Sequence, residues 1–257
     1  MRRLTSVLIG ILIVAAAIGA LWPWLMPQTG PNEKPIMPDA ALRGTFTLAV
    51  SWQPAFCETA PRRPECQSQT RDRFDATHLA LHGLWPEPAG NVYCNVPQAV
   101  AATDRSGQWQ QLPAPELNAE TSDRLALVMP GTQSRLERHE WIKHGTCAGA
   151  TGERYFATAV ALVDALESAG IGALFAANIG ATLSASDVRS AFDRAFGADA
   201  GKRVTLECER VSGRTLIAEL RIGLQGEIAE APDVSSLIAA ADVRERGCPG
   251  GEIDVAG

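Results

Sequence analysis

Residues 203–224, RVTLECERVSGRTLIAELRIGL, read as two strands folded back on one another at Ser212-Gly213. Upstream of this hairpin the pattern changes. SASDVRSAFDRAFG (184–197) and YFATAVALVDALESAG (155–170) carry amphipathic helical spacing, and each closes on a Gly. Nearer the N-terminus, TFTLAVSWQ (45–53) alternates Phe46, Leu48, Val50 and Trp52, the period of a strand. THLALHGLWPE (77–87) begins as a strand and ends at Gly83 and Pro86, whereas residues 88–118 read as mostly irregular. SRLERHEWIKHGTC (134–147) predicts a helix with Ser134 as N-cap and Glu137 in the capping-box position. Helices and antiparallel strands therefore fall in separate runs rather than in strict alternation. The expected class is α+β, an antiparallel β-sheet packed with several α-helices.

The chain of 257 residues carries a net charge of −6, which argues against a protein that coats DNA through bulk positive charge. A local basic pocket that engages nucleic acid briefly is still compatible with an acidic whole. Arg2 and Arg3 precede an uncharged, mostly apolar run at residues 6–26, SVLIGILIVAAAIGALWPWLM, which reads as a cleaved export signal or as an uncleaved membrane anchor. Residues 27–42, rich in Pro and polar groups, read as a tether, and a single domain is expected over 43–257. All six cysteines, at 57, 66, 94, 147, 208 and 248, follow the export segment. An even number in an exported chain favours disulfides in an oxidising compartment, periplasmic or extracellular.

HEWIKHGTC (139–147) concentrates two of the four histidines with a Glu, a Lys and a Cys. On a helix at about 100° per residue, with His139 at zero, Lys143 falls near 40°, Glu140 near 100° and His144 near 140°. Trp141 and Ile142 fall on the other side, so two apolar residues can anchor the helix while four ionisable ones face a common space. The stretch superficially suggests the zinc-binding HExxH box, in which two His stand at i and i+4. Here they stand at i and i+5, and Lys143 occupies the position where zinc needs a ligand. No metal and no other cofactor is expected, and the zinc-hydrolase reading is the weaker one. His82, at the end of the 77–87 strand, supplies a second histidine for general acid–base work. A Cys94–Cys147 bond would clamp the His82 and His144 segments together, and Cys57–Cys66 and Cys208–Cys248 then follow by elimination.

HGLWPE (82–87) and HEWIKHGTC (139–147), in this order, resemble the two active-site segments of the ribonuclease T2 family, exported and metal-independent endoribonucleases. TLAVSWQPAFC (47–57) also resembles the family's first strand. The resemblance implies cleavage of single-stranded RNA, not DNA, through 2′,3′-cyclic phosphates and on to 3′-phosphates, with low base specificity. It further implies His144 as general base and His82 as general acid, with His139 on the phosphate. Lys143 would neutralise the non-bridging oxygens, and Glu140 would assist at the phosphate or orient a neighbour. Trp85 would support the site beside His82. Trp52 and Tyr93 are candidate stacking surfaces, because any base presents a π-face. His78, two residues before Ala80 and four before His82, would share a strand face with His82 but reads more simply as structural. A monomer is expected. The competing reading from another class is an RNA-binding or cytotoxic module that has lost catalysis.

Overall fold

The computed structural model describes residues 41–245 and 247–257. The export segment and nearly all of the tether lie outside the described residues. Six strands form one sheet: β1 (Leu42–Ser51), β2 (Ala80–Pro86), β3 (Thr182–Ser184), β4 (Val204–Val211), β5 (Arg214–Ile228) and β6 (Gly250–Glu252). The path runs β2-β1-β5-β6-β3, with β4 paired to β5 as the hairpin requires. Ser212 and Gly213 take φ of 51° and 84°, so the turn falls where the sequence puts it. The helices are α1 (Gln53–Thr59), α2 (Pro64–Gln67), α3 (Gln98–Arg105), α4 (Ala119–Val128), α5 (Leu136–Lys143), α6 (Gly152–Ser168), α7 (Ile171–Ala176), α8 (Ala185–Phe196) and α9 (Val234–Ala240). The class is α+β, as expected.

Two local expectations are corrected and one holds. The helix predicted over 134–147 is shorter and starts differently. A 3-10 turn at Pro130–Ser134 is broken from α5 by Arg135, which takes φ of 68° and cannot continue a helix. Ser134 caps nothing; its hydroxyl instead donates to Glu65 Oε1 at 3.0 Å. The stretch 88–118 is mostly irregular, as expected, with α3 and a short 3-10 turn at Trp109–Gln111 set within it. The first strand starts earlier, with Leu42 already fully buried and paired to Ile228, and it stops at Ser51.

Two irregularities in the sheet decide which side chains reach its solvent-facing side. In β2, Leu81 pairs with Val50 and Gly83 with Ala49, so His82 is an extra residue with no partner of its own. The core side chains of this segment are Leu79, Leu81 and Leu84, so a step of two becomes a step of three over the bulge. Alternation from Leu79 and Leu81 turns His82 away from the core, and the bulge then lets Leu84 return to the core three positions after Leu81, so that His82 and Gly83 both lie on the opposite face. In β5, Ile217 pairs with Cys208 and Glu219 with Glu207, leaving Ala218 as the extra residue.

One apolar cluster joins the sheet to α4, α6, α7, α8 and α9. Trp52 belongs to it. It is 1% exposed, packs on Phe175 and donates its Nε1–H to the Asp254 carbonyl at 2.7 Å. Trp52 is therefore unavailable as a stacking surface. Three disulfides are present, Cys57–Cys66, Cys94–Cys147 and Cys208–Cys248.

Trp52→Ala removes a large core side chain and orphans a buried carbonyl. It should lower the unfolding free energy by about 3–5 kcal/mol, read from the urea midpoint. A loss below about 1 kcal/mol would contradict the core assignment.

Candidate active site

β2 delivers His82, Gly83 and Trp85, and α5 delivers His139, Glu140 and, at its C-terminal boundary, His144. Glu140 joins the two segments. Its carboxyl group is 1% exposed, accepts from Trp85 Nε1 at 2.8 Å, and lies 3.7 Å from His82 Nε2 and 3.9 Å from His139 Nε2. Such an approach requires glycine at position 83, where a Cβ would fall 2.0 Å from Glu140 Oε2 and 2.5 Å from Trp85 Nε1. Burial raises the Glu140 pKa, and His82, His139, the Trp85 hydrogen bond and Lys143 pull against that rise.

The second motif is tied to the segment following the first. Cys94 bonds Cys147. Tyr93, with φ of 59°, donates its backbone N–H to the Lys143 carbonyl at 2.8 Å and so satisfies an orphan acceptor at the end of α5. The Tyr93 hydroxyl donates to Asp104 at 2.8 Å, and the ring lies under the Arg105 guanidinium. Burial, then the Asp104 contact, push the Tyr93 pKa to about 12.

The three histidines differ in what stands behind them. His82 meets Glu219 of β5, Nδ1 to Oε2 at 2.5 Å. His139 meets Asp104 of α3, Nδ1 to Oδ1 at 2.7 Å. In each pair a carboxylate oxygen faces Nδ1, the nitrogen it can accept from when that nitrogen is protonated. Among the described residues no carboxylate is bonded to the His144 ring; its aromatic neighbours are Trp85 at 5.5 Å and His139 at 6.4 Å. The consequence is electrostatic. Burial, then the charges of Lys143, His139 and His82, lower the His144 pKa to about 3. At His82 burial also works against the charged form, but the Glu219 hydrogen bond and the charges of Glu140 and Glu219 outweigh it, and the pKa is raised. Glu219 responds in the opposite sense: burial favours its neutral form, yet His82 and Arg221 hold it below the ordinary range.

His82, Trp85, His139, Glu140, Lys143 and His144 thus come together as the two motifs require, and Tyr93 adjoins them. His78 does not. It lies outside β2, stacks on Phe74 at 4.0 Å and bonds the Phe74 carbonyl through Nδ1 at 3.0 Å. Sequence reasoning missed Asp104, Glu219, Arg221 and Trp109. Trp109 stacks on His139 at 4.6 Å with the Arg63 guanidinium over its ring. A signal existed for two of them: Glu219 and Arg221 are charges two apart inside the apolar run LIAELRIGL. Among the described residues no group of three or more His, Cys, Asp or Glu is arranged to hold a metal ion.

The Ribonuclease T2 family model matches residues 43–235. Ribonuclease I of Escherichia coli (strain K12) is 31% identical over 213 residues, covering 73% of this chain and 77% of that protein. Ribonuclease MC of Momordica charantia is 26% identical over 118 residues, 45% of this chain and 55% of that protein. Among solved structures, ribonuclease MC1 from bitter gourd seeds matches with a TM-score of 0.50 at 18% identity, over 81% of this chain and 99% of that one, a likeness of fold.

The His144 ring should stay neutral through the mildly acidic range. In a histidine NMR titration its C2–H shift should hold steady from pH 8 to pH 5 and move only near pH 3, where the lowered pKa lies. Titration near the ordinary histidine value of about 6.5 would contradict the environment described.

Proposed function

The chain belongs to the ribonuclease T2 family and is a ribonuclease, and on that premise we propose an endoribonuclease that cleaves single-stranded RNA in two steps. His144 takes the proton of the ribose 2′-OH, O2′ bonds to phosphorus, the bond to the 5′-oxygen breaks, and His82 protonates that departing oxygen. The product is a 2′,3′-cyclic phosphate. In the second step His82 takes a proton from water, the water oxygen bonds to phosphorus, the bond from phosphorus to O2′ breaks, and His144 returns a proton to O2′, which leaves a 3′-phosphate. His139 and Lys143 face the non-bridging oxygens and offset their charge. Glu140 keeps His82 and His139 close together and aligned.

One observation carries this reading: the two histidines that must act in opposite senses are biased in opposite senses. The ring that must accept a proton has its pKa lowered to about 3, and the ring that must donate one has its pKa raised by carboxylates. Nucleophile, base and acid are all supplied without a metal, since RNA brings its own nucleophile. Trp85, edge-on to His82 at 5.2 Å, and Tyr93 support base contacts of low selectivity. A variant of ribonuclease MC1 has been solved with 5′-UMP, and a nucleotide-binding site is proposed for this chain by likeness to it. Three disulfides support an oxidising compartment, periplasmic or extracellular, reached through residues 6–26 as signal or anchor. The acting unit is proposed to be the monomer.

Total RNA digested in EDTA should yield fragments ending in 2′,3′-cyclic phosphate, with 3′-phosphates appearing later. His144→Ala should lower the rate by on the order of 100- to 10,000-fold. The required state, His82 charged and His144 neutral, exists between the two pKa values. kcat/KM should therefore hold through mildly acidic pH and fall as pH rises through the raised His82 value. Its acid limb should lie near 3. Loss of cleavage in EDTA, or a rate climbing steadily to about pH 9, would reject the two-histidine mechanism.

A further inference from the structure

His82 and Glu219 sit on strands that do not touch, because β1 lies between β2 and β5. A 2.5 Å contact over an intervening strand needs both side chains turned toward each other above it. The two bulges stand at these positions: His82 is itself the extra residue of β2, and the extra residue of β5, Ala218, directly precedes Glu219. The β1 residues between them are small. Ala49 pairs with Gly83 on one side and Arg221 on the other, and Ser51 pairs with Ala80 and Glu219. Glu219 is also fixed from behind, its Oε1 accepting from Arg221 Nε at 2.7 Å, while Arg221 in turn pairs with Glu207 at 3.0 Å. Only 9% of Glu219 is exposed, whereas the His82 side chain keeps 35% of its surface in solvent.

We propose that Glu219 is a positioning residue for His82: it holds the ring proton on Nδ1 and leaves Nε2 facing the reacting phosphate. The assignment rests on the two-histidine ribonuclease mechanism for its catalytic meaning. A carboxylate buried this far is costly unless paired, and it has two partners, a guanidinium and the His82 ring. The His82 ring is in turn constrained on several sides. Glu140 approaches Nε2 from α5 at 3.7 Å, the Trp85 ring meets it edge-on, and the charge of Arg221 and the neutral His144 ring face it. Glu140 lies beyond hydrogen-bond distance of Nε2, so Glu219 is the carboxylate that sets which nitrogen is protonated. A catalytic ring then presents one defined nitrogen to the leaving oxygen.

Glu219→Gln keeps an acceptor near Nδ1 and removes the charge. With RNA as substrate, kcat should fall about 10- to 100-fold at neutral pH, with KM little changed, and the alkaline limb of the profile should move to lower pH. Glu219→Asp should recover part of the loss. Independently of activity, ¹⁵N-edited NMR of the unaltered protein should show neutral His82 as the Nδ1–H tautomer, and its titration should move to lower pH in Glu219→Gln. An Nε2–H tautomer in the unaltered protein overturns the proposal even if no variant folds. So does a Glu219→Gln profile that superimposes on the parent's. If the parent itself fails to cleave RNA, the mechanism falls, and the NMR result still decides the His82–Glu219 pairing.

Discussion

A carboxylate with 1% of its surface in water cannot stand alone, and the geometry of the site depends on where Glu140 is buried. It needs donors and positive charge on several sides at once, and the two motifs bring them. Trp85 must donate from β2, His82 and His139 must flank it, and position 83 must have no side chain at all. α5 must also approach β2 closely enough for this. The Cys94–Cys147 bond and the Tyr93 hydrogen bond to the end of α5 hold that approach from outside the sheet. With Glu140 in place, the three imidazoles are gathered at one site around a buried carboxyl group whose pKa burial raises.

What differentiates the three rings is the acid behind each. Among the described residues two have a carboxylate on Nδ1 and one has none. Chemically identical side chains thus acquire different proton affinities from their second neighbours. His144 is buried next to Lys143 and two other rings, and its neutral form is favoured. His82 is pulled the other way by two carboxylates. The acidic composition of the chain, which weighs against a bulk electrostatic binder, here supplies the partners that keep a histidine charged.

Much of the site is legible in the sequence, for physical reasons that also explain what is not. Gly83, Trp85, His139, Glu140 and His144 lie in two short segments whose local spacing fixes their relative directions. The hairpin is legible because its turn needs two residues of positive φ, and Ser212-Gly213 provides them. Asp104 and Glu219 are not, because they meet their histidines across separations of 35 and 137 residues. No local period encodes such contacts. Trp52 misleads for a related reason: at the end of a strand, the sequence does not say whether an indole faces solvent or finds a carbonyl 202 residues away. The long helix expected at 134–147 fails at Arg135, where the chain takes a left-handed turn that composition alone does not announce.

The bulge at His82 also governs how the chain can change. Deleting one residue there would close the β1–β2 ladder into unbroken register, the arrangement a sheet favours by itself. The same deletion would keep Leu79, Leu81 and Leu84 on the core face but would take His82 out of the site. Length variation at this point is therefore asymmetric in its effects: what improves the scaffold abolishes the reaction centre. Among tolerated insertions and deletions, those in the loops should be neutral and this one should not, although its cost would not register in a thermal melt.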